Sequence, residues 1–179
     1  SPERADRVLG QGELSPERIT AEIHRAVDER VGRMLPLFRE RMVFGGDFVW
    51  QAEPFYAETV HPHPDDLIPK GLDKVQAKWL LEELQKSCKS FMASETAIWT
   101  AAALEVHFKA LLEERSKIAE AATPEQQAQA KLWTGKVVFM LLRVASTGKR
   151  ESPPLFDTLE LVGAARTIER LGLAQQKLR

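Results

Sequence analysis

Three features of this sequence predict an all-α fold. Apolar residues recur at three- and four-residue spacing along most of the chain, the period of helices that bury one face. Hydroxyl–proline pairs (Ser15-Pro16, Thr123-Pro124 and Ser152-Pro153) stand before such stretches, where the hydroxyl can cap orphan N–H groups and proline fits the first turn. No period-two strand pattern of useful length and no internal repeat occurs. With 44% apolar and 28% charged residues among 179, the composition is that of a globular protein with enough chain for a core.

Residues 1–14 have little periodicity and read as a tail or linker. From Ser15, the stripe Ile19, Ile23, Val27, Val31 and Leu35 predicts an amphipathic helix that Pro36 kinks or ends, with Leu37 to Phe44 as a continuing second piece. Asp47 to Gly71 holds Pro54, Pro62, Pro64 and Pro69, so irregular structure is expected there, clamped by Phe48, Trp50, Phe55 and Tyr56. A helix over Asp73–Phe91 should turn Val75, Trp79, Leu80 and Leu84 inward. Another should start at Ser94-Glu95-Thr96 and run through Ile98, Ala101, Phe108, Leu111 and Leu112 to about Lys117. Thr123-Pro124-Glu125 caps a stretch rich in Ala and Gln.

Val137 to Ala145 is nearly all apolar, interrupted only by Arg143, and is too short to span a membrane. It reads as a buried helix with Gly148 as its C-cap. Ser152-Pro153 should restart a helix striped by Leu155, Phe156, Leu159 and Val162; Gly163 stops it, and Ala164–Leu171 forms a last short helix. Two helices are thus joined by a basic elbow, Lys149-Arg150.

A net charge of −1 hides an asymmetry: residues 131–179 carry nine Lys/Arg against four acids, leaving the remainder at −6. A basic module beside an acidic one fits a polyanionic partner, although a helical bundle kept in solution by Lys and Arg explains the charge equally well. The single cysteine, Cys88, excludes an internal disulfide and reads as a packed or half-exposed thiol with no histidine at a catalytic spacing. His61-Pro62-His63-Pro64-Asp65-Asp66 matches no established metal spacing, so an exposed loop is the better reading. His24 and His107 read as surface or core-edge residues, and the four tryptophans chiefly as core. No G-x-x-x-x-G-K-[ST] loop or G-x-G-x-x-G turn is present, and no membrane-spanning segment.

The string R-V-A-S-T-G-K-R-E-S-P-P-L-F-D-T-L-E-L-V-G-A-A-R-T-I-E-R-L, Arg143 to Leu171, resembles the C-terminal signature of bacterial and organellar glutamyl-tRNA synthetases. D-E-R-V and D-L-I-P-K-G-L-D extend the resemblance more loosely, to roughly Ser15–Leu173. It implies two helical subdomains, a helical cage over 15–72 and a distal anticodon-binding bundle over 73–179. The partner implied is a glutamate-accepting tRNA, held by its anticodon arm. The family's Rossmann-type catalytic domain, with its H-I-G-H- and K-M-S-K-like segments, is not in this sequence. ATP and magnesium are implied for that domain and no cofactor for this chain, which should not aminoacylate unaided.

Carried over residue by residue, Arg143, Ser152, Pro153 and Leu155 face the anticodon bases, with Lys149 and Arg150 on the basic loop between them. Single-stranded bases are read along their edges and packed on apolar or planar groups, chemistry that these residue types supply. The plain structural alternative for Arg143 is an ion pair with Glu151, Asp157 or Glu160. Arg30 takes the place of the arginine that reads the third anticodon base, with Arg33 as the alternative; pairing with Asp28 or Glu29 explains Arg30 equally well. The other functional reading is a free-standing synthetase-derived domain acting as an interaction or scaffold subunit of a larger assembly. A departure supports it: Met140-Leu141 precede Leu142-Arg143 where the family commonly has a proline. The expected compartment is the cytoplasm, or an organelle matrix or stroma if an upstream targeting segment was lost.

Overall fold

The structure, a computed structural model, describes residues 29, 31–38, 52–117 and 122–179. The chain divides into two compact units, Ser1–Arg39 and Glu40–Arg179. In the first, residues 31–38 are helical through Pro36, so the proline does not end the segment. Met34 and Phe38 are buried there while Leu35 is 44% exposed. The expected Val31–Leu35 row therefore yields to the adjacent row four residues apart, whose larger side chains remove more apolar area from water. Ile19, Ile23, Val27 and Arg30 lie outside the described residues.

In the second unit, residues 52–56 are helical, Pro64–Leu67 form a 3-10 turn, and the chain around them is irregular. Phe55 is buried as expected, but Tyr56 is 45% exposed and clamps nothing. Phe48 and Trp50 lie outside the described residues. Helix α1, Lys74–Ala93, begins at a capping box in which Asp73 accepts from the Gln76 N–H and Gln76 reaches back to the Asp73 N–H. Ala77, Leu80, Leu81, Leu84 and Cys88 face inward. Val75, expected inward, is 76% exposed. It stands two residues from Ala77 and so on the opposite side of the helix.

Helix α2, Ala101–Ser116, starts later than expected because Ser94 serves instead as the C-cap of α1. Ile98 consequently lies outside any helix and is 68% exposed. The N-terminus of α2 is capped twice: Thr100 Oγ1 accepts from the Ala103 N–H, and Glu160 accepts from the Ala101 N–H at 2.7 Å. Helix α3, Pro124–Ala130, opens on the expected Thr123 cap, here a capping box with Gln126. Helix α4, Gly135–Thr147, buries Val138, Leu141, Leu142, Val144 and Ala145 and closes at Gly148. Helix α5, Leu155–Val162, stops at Gly163, and α6 runs Ala164–Lys177, well past Leu171. No strand occurs among the described residues.

Helix α6 packs on both α1 and α4, while α2 packs on α5. Leu80, Leu84, Leu141, Leu142, Leu159 and Leu171 form the centre of the shared core, and each contributes about 1.5–3 kcal/mol by leaving water. Gly172 permits the close α1–α6 approach: a Cβ there would stand 2.7 Å from the Gln85 amide, which donates to the Ile168 carbonyl. Trp79 and Trp133 meet edge-on at 6.1 Å, and Trp99 donates to the Leu159 carbonyl. These three tryptophans are packing residues, as expected.

Candidate functional site

Burial of one side of α4 leaves Lys136, Met140 and Arg143 in a row on the other, at positions i, i+4 and i+7. Arg143 closes that row at the helix's last turn, where its Nε donates to Ser152 Oγ across the α4–α5 elbow at 3.0 Å. Ser152 Oγ in turn donates to the Pro153 carbonyl at 2.9 Å. The hydroxyl is thus committed to fastening the elbow and does not cap α5, whose N-cap position falls on Pro154 with no side-chain cap bond. This corrects the cap expected at Ser152.

Within the elbow, Thr147 Oγ1 donates to the Arg143 carbonyl at 2.8 Å and accepts from the Lys149 N–H at 3.2 Å. Gly148 has φ +73°, a backbone conformation that favours glycine, while a Cβ there would make only an ordinary contact with Val60 at 3.4 Å. The two basic residues reach back to the 53–66 segment. Lys149 pairs with Glu53 at 3.3 Å and Arg150 with Asp66 at 2.6 Å. Pairs of this kind are worth about 0–1 kcal/mol, so an incoming polyanion can displace them at little cost.

Arg143, Lys149, Arg150, Ser152, Pro153 and Leu155 therefore surround one elbow, while Arg30 lies outside the described residues. Their exposures differ. Arg150 is exposed, and Arg143 and Lys149 are half-buried. Ser152 and Pro153 are buried, and Leu155, 7% exposed, belongs to the apolar core.

Beneath the elbow lies an arrangement that sequence reasoning missed. Arg170 on α6 is buried and donates to the Pro54, Ala57 and Ser146 carbonyls, while Arg166 donates to the Phe55 carbonyl at 2.9 Å. The 54, 55 and 57 carbonyls close the helical turn at 52–56, where backbone acceptors lack partners and cations are favoured. Burial, and then the like charge of Arg166, lower the Arg170 pKa. The only sequence signal was a pair of arginines four apart on an apolar-striped helix; their acceptors, being backbone, leave no mark in the sequence.

The remaining candidates resolve into structure. Cys88 is buried and its thiol is pushed up to about 12 by desolvation, which removes it as a nucleophile near neutral pH. His107 meets Ser87 Oγ at 2.8 Å and lies against Phe91 and Phe108, with its pKa lowered by burial. His63 Nδ1 faces the Asp65 backbone N–H, and no group of three or more metal-ligating side chains gathers among the described residues. No helix among them is long and apolar enough to cross a membrane.

An all-helical module with a cationic interhelical elbow is thus the class that the geometry defines. A family model described as "Anticodon binding domain" matches residues 13–175, and the chain belongs to that family. It matches the C-terminal region of glutamate–tRNA ligases. One from Chlamydia trachomatis (serovar L2, strain 434/Bu) is 31% identical over 175 residues, which is 93% of this chain and 29% of that ligase. One from Roseiflexus castenholzii is 33% identical over 142 residues, 79% of this chain and 24% of the ligase. The chain spans less than a third of the length of the curated relatives it matches.

Proposed function

We propose that this chain binds the anticodon arm of a glutamate-accepting tRNA at the α4–α5 elbow, on behalf of a glutamate–tRNA ligase. The observation that carries the proposal is the convergence of the Arg143–Leu155 signature on one cation-rimmed elbow in a member of the anticodon binding domain family. Arg143 presents forked donors suited to base edges, and its bond to Ser152 orients the guanidinium. Lys149 and Arg150 exchange Glu53 and Asp66 for phosphates. Pro153 and Leu155, both buried, shape the elbow from beneath, so a base packs on them only if the elbow opens, and Arg30 reads the third anticodon base. The division into a cage over 15–72 and a distal bundle over 73–179 is part of the same proposal. So is a catalytic domain elsewhere in a longer protein, or in a partner, that activates glutamate with ATP and magnesium.

One observation favours the second reading, a scaffold subunit without RNA: Lys149 and Arg150 already have acidic partners within the chain. Binding decides between the two. The chain should hold a glutamate-tRNA anticodon stem-loop with an affinity that falls steeply as salt rises, because each phosphate contact releases counterions. Absence of binding at low salt would leave the scaffold reading.

A further inference from the structure

A groove of about 260 Å³ opens beside the elbow, on the α4 face that runs away from Arg143. Its floor is apolar, from Pro69, Val137 and Met140, and its rim is cationic, from Lys70, Lys136 and Arg150. Among the described residues no carboxylate lines it, and Arg150 on its rim is paired with Asp66 at 2.6 Å. Lys70 and Lys136 are both exposed, and neither has a hydrogen-bond or ion-pair partner among the described residues.

Three separate elements supply these cations: the loop after the 3-10 turn, the first turn of α4, and the elbow. Two lysines without a partner among the described residues stand around an apolar floor beside the Asp66-paired Arg150, and an anion in the groove relieves the repulsion between these like charges. The apolar floor distinguishes the groove from a site for a small hydrated anion. It matches a nucleotide, with sugar or base edge on Met140 and Val137 and phosphate on the rim. Lys136 and Arg143, seven residues apart on one helix face, are separated by roughly 10 Å along the axis at ~1.5 Å per residue. A strand leaving the elbow therefore meets the groove next, with Arg150 shared between the two.

Building on the anticodon-arm reading, we propose that this groove seats the sugar–phosphate strand next to the anticodon bases, with Lys70 and Lys136 as sequence-independent phosphate clamps. The test compares the parent chain with Lys70→Gln, Lys136→Gln and the double variant. Two hairpins are used, the glutamate-tRNA anticodon stem-loop and the same stem with altered anticodon bases, each titrated across salt. Each lysine lost should flatten the slope of log affinity against log salt by about 0.7–0.9. The double variant should weaken both hairpins several-fold and equally, and Lys136→Arg should restore the parent slope. Lys89→Gln, an exposed lysine on α1, should change little.

A double variant with the parent slope would overturn the groove while leaving the elbow reading intact. A loss confined to the native anticodon, or an equal loss from Lys89→Gln, would also overturn it. If the parent chain binds neither hairpin at low salt, both proposals fall.

Discussion

Arg143 and Arg170 stand in one signature on neighbouring helices, yet the molecule uses them oppositely. Arg170 is buried to 1% exposure and spends its guanidinium on three backbone carbonyls, tying α6 to the end of α4 and to the 52–57 segment. Arg143 is half-buried at a surface elbow and fastens a serine hydroxyl nine residues ahead. An arginine inside an apolar helical run therefore announces no function by itself. The partners within reach decide whether it holds the fold or faces a ligand. Here the latch supports the elbow, since the Ser146 carbonyl held by Arg170 lies one residue before Thr147, which organises the turn.

The largest effect is expected at the latch. Arg170→Ala strips three carbonyls of a charged donor, two of these bonds being buried, and at roughly 1.5–3 kcal/mol for each such bond the loss should exceed about 3 kcal/mol. The denaturant midpoint should fall with an unchanged m-value, and Arg170→Lys should rescue it poorly because a single ammonium cannot fork. Unchanged stability would erase the contrast between the two arginines.

Gly148→Ala should act next in size, and at the elbow instead. Holding alanine at φ +73° costs about 1–2 kcal/mol. The melting temperature should drop moderately, and hairpin binding should fall by more than the lost stability explains.

The smallest effect belongs to His107, remote from both regions. Burial lowers its folded pKa below the ordinary 6.5. Above 6.5 both folded and unfolded forms are neutral and stability is complete; as pH falls, the unfolded chain takes up the proton first and stability declines. Between about pH 7.5 and about pH 5 the melting temperature of the parent should fall more than that of His107→Gln. Equal pH dependence would show that the ring titrates as if exposed.

Local chemistry was legible in the sequence wherever the cause was local. Thr123 and Gly148 cap helices as their types demand, Gly163 stops α5, and the apolar run around Leu141 is the buried helix it resembles. Errors arose where a residue had two local options. Ser94 ends one helix instead of starting the next, and Ser152 gives its hydroxyl to Arg143 and Pro153 instead of capping α5. Val75 shows that an apolar type near a helix start need not share the buried face. The latch was illegible for a deeper reason: Arg170 acts on carbonyls at 54 and 57, more than a hundred residues away, and a carbonyl carries no residue-type signal. At the site, sequence brought together the elbow residues but not the pairing of Lys149 and Arg150 with Glu53 and Asp66, since many acids could have served.

The central claim, that the elbow reads anticodon bases through Arg143, is tested most directly by Arg143→Ala on two hairpins, one native and one with altered anticodon bases. Leu155→Ala would serve worse, because emptying a core position costs about 2–5 kcal/mol of stability by itself. An arginine–base pair is worth about 1–3 kcal/mol, so Arg143→Ala should weaken the native hairpin by roughly five- to a hundredfold. The loss should shrink on the altered hairpin, and on the native one it should exceed what the melting-temperature drop from the lost Ser152 bond explains. A folded Arg143→Ala chain that binds both hairpins as the parent does would contradict the account.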